Sequence, residues 1–374
     1  MKTRVWNSTG TKHSQTGFSL IELMIAMAIG LALIASIGYV YLGAKSSYNS
    51  MEALATIQET ARFTFEYMGD DVRMAGYTGG PANGGTPVNA VNAPSFDPNL
   101  IDLFQTPLIG YEQGGGYPSG LSPAPLATTD AVTVVHADSD REFSLCLPAD
   151  TVATCVANNP AGTLTSAGTF TLRFTTCPTT GLPAAGEIMV ASDYTHSALF
   201  QVSAAGSCSV GTMALTYDTA TATPGNSTAA LGAFSGAIQA RKIFPLKAST
   251  YYVANNASGV PTLHLQELTV SGGAATTQTT ELAQWVEDMQ IEYGVDIDAT
   301  PDQSVDDYYD ADDVNAGSNG STTIPGAAAD RWQRVLSVRV TLSLTSRQDV
   351  NVTTTGTALT KQFTNTFAVR NRLL

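Results

Sequence analysis

The chain has 374 residues, of which 43% are hydrophobic and 13% are charged, and its formal net charge is −14 at pH 7. The hydrophobic content excludes wholesale disorder, and the length allows one large core or two moderate ones. We do not expect direct nucleic-acid binding, because a protein with a net negative charge repels the phosphate backbone. Abundant small residues, including 33 glycines, favour an exported, β-rich body with many turns.

The N-terminal segment is first basic and then apolar. Lys2, Arg4 and Lys12 precede a run from Leu23 to Ala44 that carries no formal charge, long enough for a membrane-spanning helix of ~20 residues. Positive charges before such a span hold the N-terminus in the cytoplasm and direct the rest of the chain outward. A cleavable secretory signal has a shorter apolar core, and a plain membrane anchor gives no reason for Glu22 at the start of this run.

The stretch GFSLIEL, residues 17–23, resembles the class III signal of type IV pilins and type II secretion pseudopilins. In that family a peptidase cuts after the glycine, the new first residue is N-methylated, and the fifth mature residue is a glutamate. The resemblance therefore implies cleavage after Gly17, methylation of the Phe18 amine and a role in assembly for Glu22. The proline that many major pilins carry further along this helix is replaced here by Tyr39.

The helical pattern continues beyond the apolar run. A stripe at spacings of three and four residues, apolar except at Gln58, predicts packing of this helix against its own domain. The stripe consists of Met51, Leu54, Gln58, Ala61, Phe65, Met68 and Val72. Helix breakers begin at Gly76, so the predicted helix covers residues 18–75 after a leader at residues 1–17.

The remaining chain is predicted to be β-rich. Residues 76–130 are dense in Gly and Pro and read as an irregular connection, and residues 131–374 form the predicted head. The expected fold class is α+β, pilin-like, with one long helix packed against a large antiparallel head. The predicted strands are 131–135, 169–174, 187–190, 199–202, 213–217, 250–253, 263–270, 285–293, 335–344 and 363–370.

Three C-terminal blocks make the resemblance more specific. The segments EDMQIEYGVD at 287–296, VLSVRV at 335–340 and FAVRNR at 367–372 are similar to PilW-type minor pilins. The first block runs into an acidic loop, as it does in that family. This resemblance selects a minor pilin within the wider pilin-like group, whereas most of the chain between residues 76 and 286 carries no recognised motif.

The cysteines are Cys146, Cys155, Cys177 and Cys208, with no CxxC pair and no neighbouring histidine, which disfavours a zinc site. In an exported body they predict two disulfides, for which three connectivities exist. We favour the nearest-neighbour pairs, Cys146–Cys155 and Cys177–Cys208, because each closes a short loop rich in Gly, Pro and Thr. The alternative is four reduced, buried cysteines in a cytoplasmic protein, against which the N-terminus argues.

The acidic loop at residues 296–313 is a candidate calcium site. Alternating carboxylates supply the hard oxygen ligands that calcium prefers, although Pro301 and Asp307 at the sixth and twelfth positions exclude an EF-hand. The other interpretation is a solvated acidic loop that binds no ion. The predicted ligands are Asp296, Asp298, Asp302 and Asp306.

The sequence carries none of the common enzyme signatures. HExxH, GxSxG, the phosphate-binding GxxxxGK[ST] and the dinucleotide-binding GxGxxG are all absent. The histidines, His13, His136, His196 and His264, are isolated from one another, which is typical of structural histidines. We therefore expect a structural protein and not an enzyme.

The predicted function is that of a minor pilin in the tip or initiation complex of a type IV pilus, supporting adhesion, twitching motility or DNA uptake. The resemblance implies as partners other minor and major pilins, the prepilin peptidase, the inner-membrane assembly platform and, before assembly, membrane lipid. It also implies a single-pass inner-membrane protein that later lies in the pilus at the cell surface. Two alternatives stay open: a minor pseudopilin of a type II secretion system, for which this head is large, and an adhesive module at the pilus tip.

Overall fold

The structure is a computed structural model, in which the described residues fall into two compact units. The first unit contains the described residues up to Leu54 together with Ala358 and Leu359, and the second contains those within Ala55–Arg347 and Thr360–Leu374. The described residues are 17–80, 87–92, 100, 102–114, 116–145, 162–164, 168–193, 196–219, 223–234, 242–347 and 358–372.

One long helix dominates the N-terminal part of the chain. Helix α1 covers Leu20–Met74, 55 residues, and is apolar and long enough in its first part to cross a membrane. We call residues 20–54 of α1 its apolar half and residues 55–74 its head half, following the division into units. The two further α-helices are short, α2 at Ala311–Ala316 and α3 at Ala328–Gln333, and a 3-10 turn follows at Arg370–Arg372.

The second unit is built mainly from strands. In chain order they are β1 Val88–Asn89, β2 Leu108–Tyr111, β3 Ala131–Ala137, β4 Phe143–Leu145, β5 Gly162–Leu164, β6 Gly168–Arg173, β7 Ile188–Ser192, β8 Ser197–Gln201, β9 Ala204–Ala205, β10 Thr212–Tyr217, β11 Gly232–Phe234, β12 Lys242–Asn255, β13 Pro261–Ser271, β14 Ala274–Gln284, β15 Val286–Val295, β16 Asp307–Tyr309, β17 Val335–Thr345 and β18 Thr360–Ala368.

Strand β12 organises the larger sheet because it pairs with different neighbours along its length. Its first residues pair with β4 and β7, and its later residues pair with β3 on one side and β13 on the other. All four pairings are antiparallel, and nearly every residue of β12 is buried. The sheet extends from there through β8 to β1, through β6 to β10, and through β13 to β14.

A second, four-stranded antiparallel sheet has the order β16-β15-β17-β18. One of its two inner strands, β17, alternates along VLSVRVTLSLT with Val338, Val340, Leu342 and Leu344 fully buried. This period-two pattern is the signature of a strand with one face on a core. Each of the three sequence blocks that resemble PilW-type minor pilins lies wholly or partly in a strand of this sheet.

The head half of α1 packs within the second unit. Ala61, Phe65, Met68 and Val72 are buried, as the stripe predicts, whereas Met51 and Gln58 are exposed. The stripe therefore predicts burial at its apolar positions in the head half, and it fails at Gln58, its one polar position, and at Met51 in the apolar half.

Helix α1 and strand β18 approach each other closely at Gly69. A Cβ placed there would lie 2.6 Å from Cε1 of Phe367, whose ring also contacts Phe65 with 6.2 Å between ring centroids. The absence of a side chain at residue 69 is therefore what lets the Phe367 ring reach the helix.

The α+β expectation is confirmed, and each strand predicted from the sequence falls on an observed strand. The stretch 76–130 is mostly irregular where described but also contains β1 and β2, which its Gly/Pro content did not indicate. The edge strand β14 was missed as well, because AATTQTTELAQ offers few large apolar residues to mark a strand.

Candidate functional site

The start of α1 carries a reciprocal pair of hydrogen bonds between Ser19 and Glu22. The Glu22 amide donates to Ser19 Oγ at 3.2 Å, and the Ser19 amide donates to Glu22 Oε2 at 2.9 Å. The amide of Leu23 reaches the Ser19 carbonyl at 3.2 Å, which makes Ser19 the N-cap residue. This is the S-x-x-E capping box, which satisfies two amides that the first helical turn leaves without partners.

The residues of the predicted cleavage site lie directly before this box. Gly17 and Phe18 have no helical or strand structure, and the Phe18 side chain is 90% exposed. Glu22 is exposed too, and the capping box uses only its Oε2. The sequence analysis predicted a role for Glu22 and did not single out Ser19, although the S-x-x-E spacing before an apolar run was available as a signal.

The large side chains of the apolar half are exposed within the described chain. From Phe18 to Leu42 they include Ile21, Ile25, Leu31 and Ile37, each more than half exposed. A helix that is apolar all round is suited to lipid or to other apolar helices and not to water. The first half of α1 thus fits membrane anchoring before assembly.

Asp71, in the head half of α1, is a buried carboxylate that sequence reasoning did not single out. Its Oδ1 lies 2.7 Å from Lys247 Nζ and 3.4 Å from His136 Nε2, and its Oδ2 accepts a hydrogen bond of 2.7 Å from Tyr251 Oη. Burial alone would raise the pKa of Asp71, but hydrogen bonds from His136, Lys247 and Tyr251 and the Lys247 charge outweigh it and hold that pKa well below its usual range. The contacts of Asp71 therefore connect α1 to β3, which contains His136, and to β12, which contains Lys247 and Tyr251.

The other described histidines also have structural partners. His196 Nε2 bonds the Leu231 carbonyl at 2.9 Å, and His264 Nδ1 bonds the Thr262 carbonyl at 2.9 Å. Burial lowers the pKa of His264, which favours its neutral form. His13 lies outside the described residues.

One of the two predicted disulfides is present. Cys177 and Cys208 are bonded, with 5.7 Å between their Cα atoms and a sequence separation of 31. Cys146 and Cys155 lie outside the described residues, so their pairing stays a prediction.

The acidic loop brings together three of the predicted calcium ligands. Carboxylate oxygens of Asp296, Asp298 and Asp306 lie within 4.8 Å of one another, and the carboxylate of Asp302 is not part of this group. Asp302 instead donates its backbone amide to Asp296 Oδ2 at 2.9 Å. Repulsion, chiefly from Asp306, raises the pKa of Asp298.

The carboxylates of this loop also accept hydrogen bonds from backbone amides of the loop itself. Asp296 is buried and accepts from the amides of Asp298, Asp302 and Gln303, and Asp306 accepts from the amide of Ile297. Such bonds shape a loop without any ion. The calcium site therefore stays a prediction, to be checked by whether a chelator lowers the melting temperature of the protein but not of its Asp298→Asn variant.

Two family comparisons match the chain. Residues 250–371 match Type IV Pilus-assembly protein W, and residues 12–38 match the Prokaryotic N-terminal methylation motif. The first match runs from the middle of β12 through the four-stranded sheet, and the second spans the capping box and the start of the apolar half. No curated protein and no solved structure matches the chain.

Both matched families are structural components of pili and not enzymes. The resemblance drawn from GFSLIEL and from the three C-terminal blocks is confirmed, because the matches fall on those same residues. The chain thus matches the methylation motif and the PilW family in two separate segments, and both matches support a type IV pilin-like minor pilin.

Proposed function

We propose that this minor pilin takes part in type IV pilus assembly within the tip or initiation complex. The observation that carries the proposal is the presence on one chain of the methylation motif at the start of α1 and the PilW match over the C-terminal sheet. Adhesion, twitching motility or DNA uptake would follow from assembly of the pilus and require no catalytic site on this chain.

The proposed route begins at the inner membrane with the N-terminus in the cytoplasm. The prepilin peptidase cuts between Gly17 and Phe18 and the Phe18 amine is methylated, after which the assembly platform transfers α1 from lipid into a bundle with other minor and major pilins. The exposure of Gly17 and Phe18 ahead of the helix supports access by a peptidase. The mass of the mature N-terminal peptide, taken from a membrane fraction, tests this step.

Glu22 is proposed to fix the register of the subunit in that bundle. Cleavage creates a cation at the Phe18 amine, and an anion one turn into the helix is favoured by the helix dipole. A subunit displaced along the bundle would leave the Glu22 carboxylate and the Phe18 amine unpaired. An unpaired charge among apolar helices is costly, so the displaced position is disfavoured. The capping box supports this role because it orients Glu22 through Oε2 and leaves Oε1 outside the cap.

A type II secretion pseudopilin is the second candidate, because the same N-terminal motif occurs in that group. The PilW match favours the pilus. Deleting the gene and scoring both surface pili and secreted exoproteins separates the two: loss of pili with normal secretion is expected, whereas loss of secretion with normal pili would contradict the proposal. Cells that keep their pili but no longer adhere would indicate the adhesive module instead.

A further inference from the structure

Glu112 and Asp130 face each other at the open end of the β2–β3 pair. Strands β2 and β3 are antiparallel, and Tyr111 pairs with Ala131, so Glu112 and Asp130 are the next residues in register. Each carboxyl group shifts the pKa of the other, and two neighbouring carboxyl groups can hydrogen-bond to each other only when one of them carries a proton.

Asp130 also joins the larger sheet to the four-stranded sheet. Its amide donates to the Met289 carbonyl at 2.8 Å, and its Oδ2 accepts from the Ile291 amide at 2.7 Å, both in β15. Its Oδ1 accepts from the Gln113 amide at 3.1 Å. Asp130 is therefore a good acceptor in its ionised form, and it lies on the seam where β3 meets β15.

Glu112 is only partly satisfied as a carboxylate, because the Ala311 amide donates to its carboxyl group but one of its two oxygens has no donor within the described chain. Its Oε2 is fully buried and has no hydrogen bond to a donor among the described residues. A buried acceptor without a donor is costly, but a proton on Oε2 turns it into a donor for Asp130 and satisfies both groups.

The charges that shift the two carboxyl groups are those of other acids. The titratable groups that act on the two carboxyls come from β2, the loop before β3, β15 and the residue before α2, and all are acids or phenols: Tyr111, Tyr117, Asp288, Tyr293 and Asp310. Ionising both of two adjacent carboxyl groups costs free energy, and the further carboxylates nearby increase that cost.

We propose that Glu112 and Asp130 share one proton, held on Glu112 Oε2 and donated to Asp130, and that loss of this proton as pH rises weakens the seam between the two sheets. The pair then makes the contact between the two sheets of the head sensitive to pH. Below the transition the seam is closed by a carboxyl–carboxylate hydrogen bond; above it two negative charges face each other at the same place.

The direction of titration agrees with this geometry. Burial, with the negative charges of Asp130 and Asp310, raises the pKa of Glu112 to about 7, and burial raises that of Asp130 to about 6. For acids whose pKa is raised by folding, the stabilising contribution is complete below the ordinary pKa and is lost as pH rises through the folded value. The loss is therefore expected between pH 5 and pH 8, as a property of the pair.

A metal ion is the other way to satisfy two carboxylates, and the described residues do not favour it here. Three acidic ligands at metal-binding spacing occur in the described chain only at Asp296, Asp298 and Asp306. At the seam only Glu112 and Asp130 meet, which is few for calcium.

The test compares thermal unfolding of the full chain in detergent at pH 5 and pH 8, without added metal. Glu112→Gln keeps a donor toward Asp130 at every pH, and Glu287→Gln, an exposed change on β15, is the matched control. The wild-type and Glu287→Gln proteins should unfold at a lower temperature at pH 8 than at pH 5. The pair's share of this loss is at least about tenfold in the unfolding constant, which is what one unit of pKa shift contributes, and Glu112→Gln should abolish that share.

Equal pH dependence in all three proteins would overturn the proposal. So would a rise in melting temperature on adding calcium at pH 8 that Glu112→Gln abolishes, because the pair would then hold a cation and not a proton. If Glu112→Gln does not fold, Glu112→Ala replaces it, since removing the second carboxyl also removes the repulsion and flattens the profile.

Discussion

The two halves of α1 each carry a notable carboxylate, and the two are satisfied in opposite ways. Asp71 in the head half is buried, and Lys247, His136 and Tyr251 from the same unit surround it. Glu22 at the start of the apolar half is exposed, and its hydrogen bonds in the described chain go to Ser19 alone.

This contrast separates a structural charge from one suited to assembly. A buried carboxylate with a full set of partners in its own chain has nothing left to offer another subunit. An exposed carboxylate, fixed by a cap at the start of an apolar helix, can meet a new cation once helices bundle. The predictions below test each half against the other, from the largest expected effect to the smallest.

Asp71→Ala should cause the largest loss of stability. It leaves the buried Tyr251 hydroxyl and the partly buried Lys247 charge without their acceptor, at a cost of about 3 kcal/mol in the free energy of unfolding. Denaturant unfolding followed by tryptophan fluorescence measures it. Asp70→Ala is the adjacent control: Asp70 is exposed and, among the described residues, its ion pair is with Arg73, so its loss should cost about 0–1 kcal/mol.

The same carboxylate should make the head sensitive to acid. Because the pKa of Asp71 lies below its ordinary value of 3.8, its contribution is complete above that value and is lost as pH falls below it. Asp71→Ala should flatten the acid limb of the stability profile between about pH 4 and pH 2. An unchanged acid limb would show that the network does not stabilise the head.

Loss of the Cys177–Cys208 bond should weaken the head next. In the loop-entropy model a bridge across 31 residues contributes about 3–4 kcal/mol. Cys208→Ser should lower the melting temperature and speed proteolysis in the region of β6 to β10, without changing cleavage after Gly17. Labelling of Cys177 or Cys208 by a thiol reagent in native periplasmic protein would contradict the bonded assignment.

Glycine substitutions should distinguish the two halves of α1 directly. Gly69→Ala places a Cβ against the Phe367 ring and should cost about 1–3 kcal/mol through overpacking. Gly43→Ala meets nothing within 4 Å, and in the apolar half it should not destabilise the head. Thermal melting of both variants makes the comparison, and equal losses would refute the close approach at Gly69.

Ser19→Ala should have the smallest effect, confined to the first turn of α1. Loss of an N-cap costs about 1 kcal/mol, so backbone amides of the first turn should exchange hydrogen about fivefold faster. Ser36→Ala is the control, since Ser36 bonds the Ala32 carbonyl inside the helix and caps nothing. Unchanged exchange in Ser19→Ala would mean that the capping box does not persist in detergent.

The sequence allowed prediction of those features that depend on local pattern. The extent of α1, the alternating strand β17 and the pairing of Cys177 with Cys208 follow from periodicity, composition and loop length, and the structure agrees. GFSLIEL also allowed a prediction of the cleavage and assembly residues, which stays a prediction, because charge, cut site and apolar run are contiguous.

The features that sequence missed depend on partners distant in the chain. Asp71 looks like one more acid on the polar side of a helix until β12, at Lys247 and Tyr251, is placed against it. Glu112 and Asp130 are 18 positions apart and meet only because β2 and β3 pair in one register. Periodicity carries no information about such contacts.

Incorporation of the Glu22→Ala variant into the pilus tests the central claim most directly. Sheared pili and membrane fractions from cells producing wild type, Glu22→Ala or the control Ser36→Ala would be probed for the mature subunit. We predict that Glu22→Ala is cut after Gly17 and inserted in the membrane normally but is depleted from pili, whereas Ser36→Ala is incorporated like wild type. Normal incorporation of Glu22→Ala would contradict a role for this carboxylate in assembly.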